Sequence, residues 1–259
     1  MKTLDYYWRI FATGLCFVIF SIGGLILSLI VIPVISLQSS DIAEKCRRTR
    51  YFIHRTLRFF IHLMTALGVI EFDIREAARV LPQQRGKVII ANHPSLIDVV
   101  VLIALMPHAD CIVKNELWDN PFIGKVLRAA QYINNSGSPE QVLSACRQSL
   151  LEGYSLIIFP EGTRTTPGEA LVLQRGASNI ALRCKAAIVP ILISCEPTTL
   201  IKNQKWYSVP PTKVKFALRV DEAIDTAAFE TDAASVAIRA RHLTAQIQNY
   251  YTKSLKRYG

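Results

Sequence analysis

From Ile10 to Ser36 the run IFATGLCFVIFSIGGLILSLIVIPVIS carries no charged residue, where roughly 20 helical residues suffice to cross a bilayer core. The pattern predicts a membrane anchor helix over residues 1–38. A secretory signal core is only about 7–15 residues long, and no small-x-small cleavage site follows the run. Gly23, Gly24 and Pro33 are places where such a helix would bend, so a re-entrant hairpin is the alternative to a straight span. Over residues 39–70 the pattern changes. Leu57, Phe60, Ile61, Met64 and Leu67 fall at helical spacing, and Lys45, Arg47, Arg48, Arg50, Arg55 and Arg58 supply a basic part. This predicts a basic amphipathic helix beside the membrane, suited to an anionic lipid surface. A helix packed on the domain with a solvated basic face is the plainer alternative.

Residues 71–259 alternate short apolar runs with helical stretches. Strands are predicted at Lys87–Ala91, Cys111–Lys114, Ser155–Phe159 and Ile188–Ser194, with a half-exposed strand at Lys213–Val220. Between them fall helices at Pro94–Leu105, Pro121–Ala130, Pro139–Leu151 (capped by Ser138) and Gly176–Arg183. A basic, Tyr-rich helix closes the chain from about residue 234 to 257. Strands interleaved with helices indicate an α/β domain, a mixed and mainly parallel sheet flanked by helices.

Composition sharpens this picture. The chain of 259 residues is 51% hydrophobic and only 19% charged, low in charge for a freely soluble domain. Its net charge of +10 suits a lipid surface or an acidic carrier protein. Nucleic acid is not expected, because no nucleic-acid motif accompanies the charge. The basic stretch directs that side of the anchor to the cytoplasm. Six cysteines without a CxxC pair or short metal spacing read as reduced thiols.

Two stretches carry chemistry. Asn92-His93-Pro94-Ser95-Leu96-Ile97-Asp98 lies where a buried strand gives way to a helix, the edge of an α/β sheet where ligands bind. Pro94 suits the first helical position, which puts His93 at the helix mouth and Asp98 in its first turns. Histidine is the side chain best matched to take a proton near neutral pH, and a carboxylate can fix its tautomer. A single His near an Asp is more often structural than catalytic. The second stretch, Phe159-Pro160-Glu161-Gly162-Thr163-Arg164, follows another buried strand and should reach the same edge. Its acid, its glycine and its bidentate Arg suit a polar or phosphate-bearing ligand.

The two stretches in this order, followed by Val189-Pro190-Ile191, resemble the glycerolipid acyltransferase family typified by lysophosphatidic acid acyltransferase. The likeness covers roughly residues 85–220 and implies a glycerol-3-phosphate acyltransferase-like fold. It implies that His93 deprotonates the acceptor hydroxyl, which attacks the thioester of acyl-CoA or acyl carrier protein, while Asp98 orients and charges the histidine. It also implies that Glu161 and Gly162 help form the substrate site, with Thr163 beside them, and that Arg164 meets the acceptor's phosphate. A thioester is already activated, so no metal, cofactor or covalent intermediate is expected. No HExxH, P-loop or GxSxG elbow occurs. A hydrolase using Ser95 with His93 is the competing enzyme reading, and a non-catalytic membrane-binding protein the competing non-enzyme one.

One departure from the family pattern matters. Members acting on lysophosphatidic acid usually carry an arginine at the end of a G-x-x-F-I-x-R motif, and here that position falls on Asn135. Asparagine keeps hydrogen bonding but loses the charge and the fork. Lys114 and Arg128 are nearby in sequence and could compensate. The expected acceptor is 1-acyl-sn-glycerol 3-phosphate, giving phosphatidic acid. The alternative is a lyso-lipid without phosphate, of the ornithine-lipid type.

Overall fold

The computed structural model describes residues 2–120, 123–166, 169–229 and 235–258. The apolar N-terminal run is one helical rod, made of α1 (Lys2–Ile26), a π-helical turn at Leu27–Val31 and α2 (Ile32–Gln38). Pro33 accounts for the wide turn, because it lacks an N–H and its ring presses on the carbonyl four residues back. The rod passes Gly23 and Gly24 without reversing. Among the described residues, Thr3–Gln38 is the one helix long and apolar enough to cross a membrane, by length and composition. Only 17% of its most apolar stretch is buried, and Val18, Ile22, Leu29 and Ile30 point outward. That exposed face marks membrane association.

Helix α3 (Ile42–Ala66) begins at Asp41, whose carboxylate accepts from the amides of Ala43 and Glu44. It runs back along the rod. Trp8 Nε1 donates to the Leu67 carbonyl at 2.9 Å, and Phe20 packs on Phe60. Phe60, Ile61 and Met64 face inward as their spacing predicts. Arg50 does not belong to the basic face. It is 6% exposed, and its guanidinium donates to Asp110 at 2.9 Å and to the carbonyls of Ala130 and Gln131. It shares the buried side of α3 with Cys46 and Ile53, each about one turn away. Spacing along the helix cannot reveal a partner acid that lies distant in sequence.

Between α3 and the first predicted strand, where no element was expected, lie β1 (Ile70–Asp73) and α4 (Arg75–Val80). Next come β2 (Val88–Ala91), α5 (Asp98–Leu105), β3 (Ala109–Val113), α6 (Asn115–Trp118), α7 (Gly124–Ala129) and β4 (Ile133–Asn134). The chain continues through α8 (Pro139–Leu151), β5 (Ser155–Ile158), α9 (Gly176–Cys184), β6 (Ile188–Glu196), β7 (Val214–Val220) and α10 (Val236–Tyr258). The helix predicted from Pro121 begins at Gly124, with Pro121 and Phe122 outside the described residues. Ser138 caps α8 in a reciprocal capping box with Gln141, a device contributing about 1 kcal/mol.

Among the described residues the strands form one sheet in the order β1-β7-β6-β2-β5-β3-β4. Every neighbouring pair is parallel except β6 with β7. The mixed, mainly parallel α/β fold follows from the alternation of buried strands and helices. Ile89 on β2 faces the core shared with α3 and α5, while Val88 and Ile90 face α9 and α10. Because β2 pairs with β5 and β6 in parallel, the loops leaving the carboxyl ends of all three strands emerge together.

Candidate active site

Those three loops build the site. The loop from β2 carries Asn92 to Ile97, and α5 begins only at Asp98. Pro94 is therefore not a helical residue, contrary to the sequence expectation. One local and two tertiary bonds hold the loop out of the helix: Ser95 N–H donates to Asp98 Oδ2 at 2.8 Å, Ser95 Oγ to the Thr199 carbonyl, and Leu96 N–H to the Leu200 carbonyl. Fully buried and so engaged, Ser95 is not presented as a nucleophile. Asn92 fixes the start of the loop. Its amide donates to the Ile193 carbonyl and accepts from Ile193 N–H, both at 2.8 Å, so one side chain continues the β2–β6 ladder.

His93 Nδ1 and Asp98 Oδ2 stand 2.7 Å apart. Asp98 is fully buried, whereas the His93 side chain keeps 18% of its surface exposed. An ionised Asp98 accepts from Nδ1–H, which leaves Nε2 as the basic nitrogen. The imidazole stacks on Phe159, with ring centroids 4.1 Å apart. Burial pushes the Asp98 carboxyl up to about 6, against the opposing pull of His93 and of the Ser95 amide. Its Oδ1 has no hydrogen-bond partner among the described residues.

The loop from β5 turns at Gly162, whose φ of +70° suits glycine and whose N–H donates back to the Phe159 carbonyl. Glu161 accepts from His93 N–H at 2.8 Å and from Thr165 Oγ1 at 2.9 Å, and Thr165 N–H donates to the His93 carbonyl. Burial raises the Glu161 carboxyl, partly offset by those two bonds. Glu161 therefore ties the two motif loops together rather than lining the cleft. Arg164 is half-buried and donates to the carbonyls of Leu200 and Ile201, at 2.8 and 3.1 Å, on the third loop.

A cleft of about 710 Å³ brings together His93, Lys114, Asn135, Gly162, Thr163 and Arg164. Of the predicted residues, Asp98 and Glu161 stand behind this lining. Lys202 and Asn203 also line the cleft, and neither was singled out from sequence. They follow β6 by a loop with no motif, so only the fold brings them there. The cleft shares Val99, Cys111, Val113 and Leu117 with an apolar cavity of about 420 Å³ between the N-terminal rod and α3, α5 and α7. Among the described residues no cluster of three His, Cys, Asp or Glu side chains could hold a metal ion.

The chain is similar to known proteins in sequence and in fold. The acyltransferase family model matches residues 55–194. A 1-acyl-sn-glycerol-3-phosphate acyltransferase of Cocos nucifera is 32% identical over 133 residues, 49% of this chain and 43% of that protein. Its counterpart in Helicobacter pylori is 36% identical over 114 residues, 42% of this chain and 48% of that one. The matched stretch thus spans under half the length of both relatives. The alpha form of the enzyme from Ovis aries is 27% identical over 84% of this chain and 74% of its own. The crystal structure of the 1-acyl-sn-glycerophosphate (LPA) acyltransferase PlsC from Thermotoga maritima shares the fold, with a TM-score of 0.66 and 19% identity over 99% of this chain and 98% of that one. With the family model matched over more than half its length, the chain belongs to the acyltransferase family.

Proposed function

We propose that the protein transfers a fatty acyl group from a thioester donor, acyl-CoA or acyl carrier protein, to the free hydroxyl of 1-acyl-sn-glycerol 3-phosphate. The observation that carries this reading is the setting of His93. Its Nδ1 is held by a buried carboxylate, and its ring borders a cleft with cations on one side and an apolar cavity on the other. Nε2 takes the proton of the acceptor hydroxyl as its oxygen attacks the thioester carbonyl. The C–O bond forms, the C–S bond breaks, and the proton passes from the imidazolium to the departing thiolate. Asp98 stabilises the imidazolium between the two transfers. The acyl chain lies in the apolar cavity, where each buried CH₂ contributes about 0.8 kcal/mol. Arg164 and Lys114 face the acceptor's phosphate. The reaction so drawn uses no metal or cofactor.

The names of the relatives from Cocos nucifera, Helicobacter pylori and Ovis aries support the acceptor. Asn135, which lines the cleft where the family pattern has an arginine, favours a lyso-lipid without phosphate as the second reading. The rod and α3 support a location at the inner membrane. The apolar rod enters the bilayer, and Arg47, Arg55 and Arg58, exposed on the antiparallel α3, meet the headgroups on the cytoplasmic side of the inner membrane. The test is acyl transfer by purified protein in mixed micelles, with a labelled donor and both acceptors, alongside His93→Ala. Transfer to lysophosphatidic acid by wild type alone is expected. Full activity in the His93→Ala variant would sink the mechanism, and transfer only to the phosphate-free lipid would sink the acceptor.

A further inference from the structure

A doubly ionised phosphate calls for more than one cation, and Asn135 removes one that the family pattern supplies at the sheet edge. The segment following β6 brings another. It runs from the site to α1 and is pinned along its length. Near the site, the Leu200 carbonyl accepts from Arg164 and from Leu96 N–H, and the Ile201 carbonyl from Arg164. Leu200 and Asn203 turn the chain with φ of +53° and +63°. Gln204 closes the turn, accepting from Ile201 N–H at 3.1 Å and donating to the Ser208 carbonyl at 3.0 Å. Farther on, the Trp206 indole lies on Gly14 of α1, 3.0 Å from where a Cβ would stand. Arg9 of α1, 1% exposed, donates to the carbonyls of Pro210 and Pro211 at 2.9 and 2.7 Å.

Lys202 sits within this pinned segment. It is exposed, lines the cleft with Arg164 and Lys114, and forms no ion pair with a carboxylate among the described residues. We infer that Lys202 is a third cationic anchor for the phosphate of the acceptor, beside Arg164 and Lys114, carried on a strap that the membrane helix holds in place. The inference rests on the acceptor reading above. A fixed backbone lowers the entropy lost when the ammonium meets its ligand. Lysine serves here as a point charge, in place of the missing arginine fork.

The experiment uses the full-length protein in detergent, with Lys202→Gln and Lys202→Arg. The glutamine variant should raise KM for lysophosphatidic acid about tenfold, the scale of one charge-assisted contact. It should leave kcat, the donor's KM and any turnover of monoacylglycerol unchanged, and Lys202→Arg should restore most of the loss. Because the residue is exposed, melting curves should coincide. An unchanged KM for lysophosphatidic acid, or a rise confined to the acyl donor, would overturn the inference while leaving the acceptor reading intact. Calorimetric titration with glycerol 3-phosphate separates the opposite case. If wild type binds it, the glutamine variant binds about tenfold more weakly, and neither acylates lysophosphatidic acid, Lys202 stands and the acceptor reading falls. No binding and no use of a phosphate-bearing acceptor by wild type would overturn both.

Discussion

Two buried aspartates of this protein, each paired with a nitrogen-bearing side chain, serve opposite ends. Asp110 on β3 is 1% exposed and is enclosed by Arg50 of α3, by Ser149 Oγ at 2.6 Å and by the Cys111 amide at 2.8 Å. The Arg50 guanidinium lies 4.0 Å from the Tyr154 ring centroid, which covers the face that Nη1 leaves without a hydrogen bond. No atom of that pair is offered to a ligand. Asp98 is equally buried, yet its partner His93 opens onto a cleft and its own Oδ1 has no partner among the described residues. A sealed pair welds α3 to the sheet, whereas an open one offers the base that the proposed mechanism uses. What separates them is whether the partner side chain can be reached, not how deep the acid lies.

This contrast can be broken most severely at His93. Replacing it with alanine should lower kcat about a thousandfold or more, with a melting curve close to wild type, as steady-state rates and calorimetry would show. Asp98→Asn should reduce kcat by about two to four orders of magnitude. It removes a carboxylate whose ionisation the fold resists, so thermal unfolding at neutral pH should show no loss of stability. Arg50→Ala should do the reverse. It leaves the buried Asp110 without its counter-charge, at a cost of about 3–5 kcal/mol in urea unfolding, while activity per folded molecule is retained. Restored stability in the double variant Arg50→Met with Asp110→Leu would show that the weld is packing as much as charge.

The pH dependence sharpens the comparison further. The catalytic form has Asp98 ionised, so kcat/KM should fall about tenfold per pH unit below about 6, the region to which burial pushes this carboxyl. The sign for stability is opposite. A raised carboxyl makes the folded state hold its proton more tightly, so stability from Asp98 increases as pH falls from about 6 toward the ordinary aspartate value. Activity that is lost reversibly while the fold persists is the expected outcome. The smallest effect belongs to Ser95→Ala, which removes the bond to the Thr199 carbonyl and should cost about 1 kcal/mol with activity kept. Loss of all activity there would revive a serine mechanism.

Much of the architecture was legible before any coordinates. Strand β2 reads as buried from its unbroken apolar run, the Ser138 cap follows from local chemistry, and the alternating pattern of β7 reports one face in and one out. Strands β1 and β4 were not predicted: β4 has two residues and no pattern, and β1, although Ile70-Glu71-Phe72-Asp73 alternates apolar with acidic, has only four. They are strands because neighbouring chains offer them a ladder, and local sequence does not encode a neighbour's hydrogen bonds.

The same division runs through the site. The sequence by itself determined which groups are present, His93, Asp98, Glu161 and Arg164, and that strands ending just before them would bring both stretches to one sheet edge. It did so because strand and turn preferences are local and the carboxyl edge of a parallel sheet gathers its loops. Tertiary structure alone decided what each group touches. It put Glu161 on the His93 amide, took Arg50 out of the basic helix face, held Pro94 out of α5 and brought Lys202 into the cleft from a loop without a motif. Those are contacts between segments distant in the chain, set by how helices and sheet pack, and nothing in the immediate neighbourhood of any one residue specifies them.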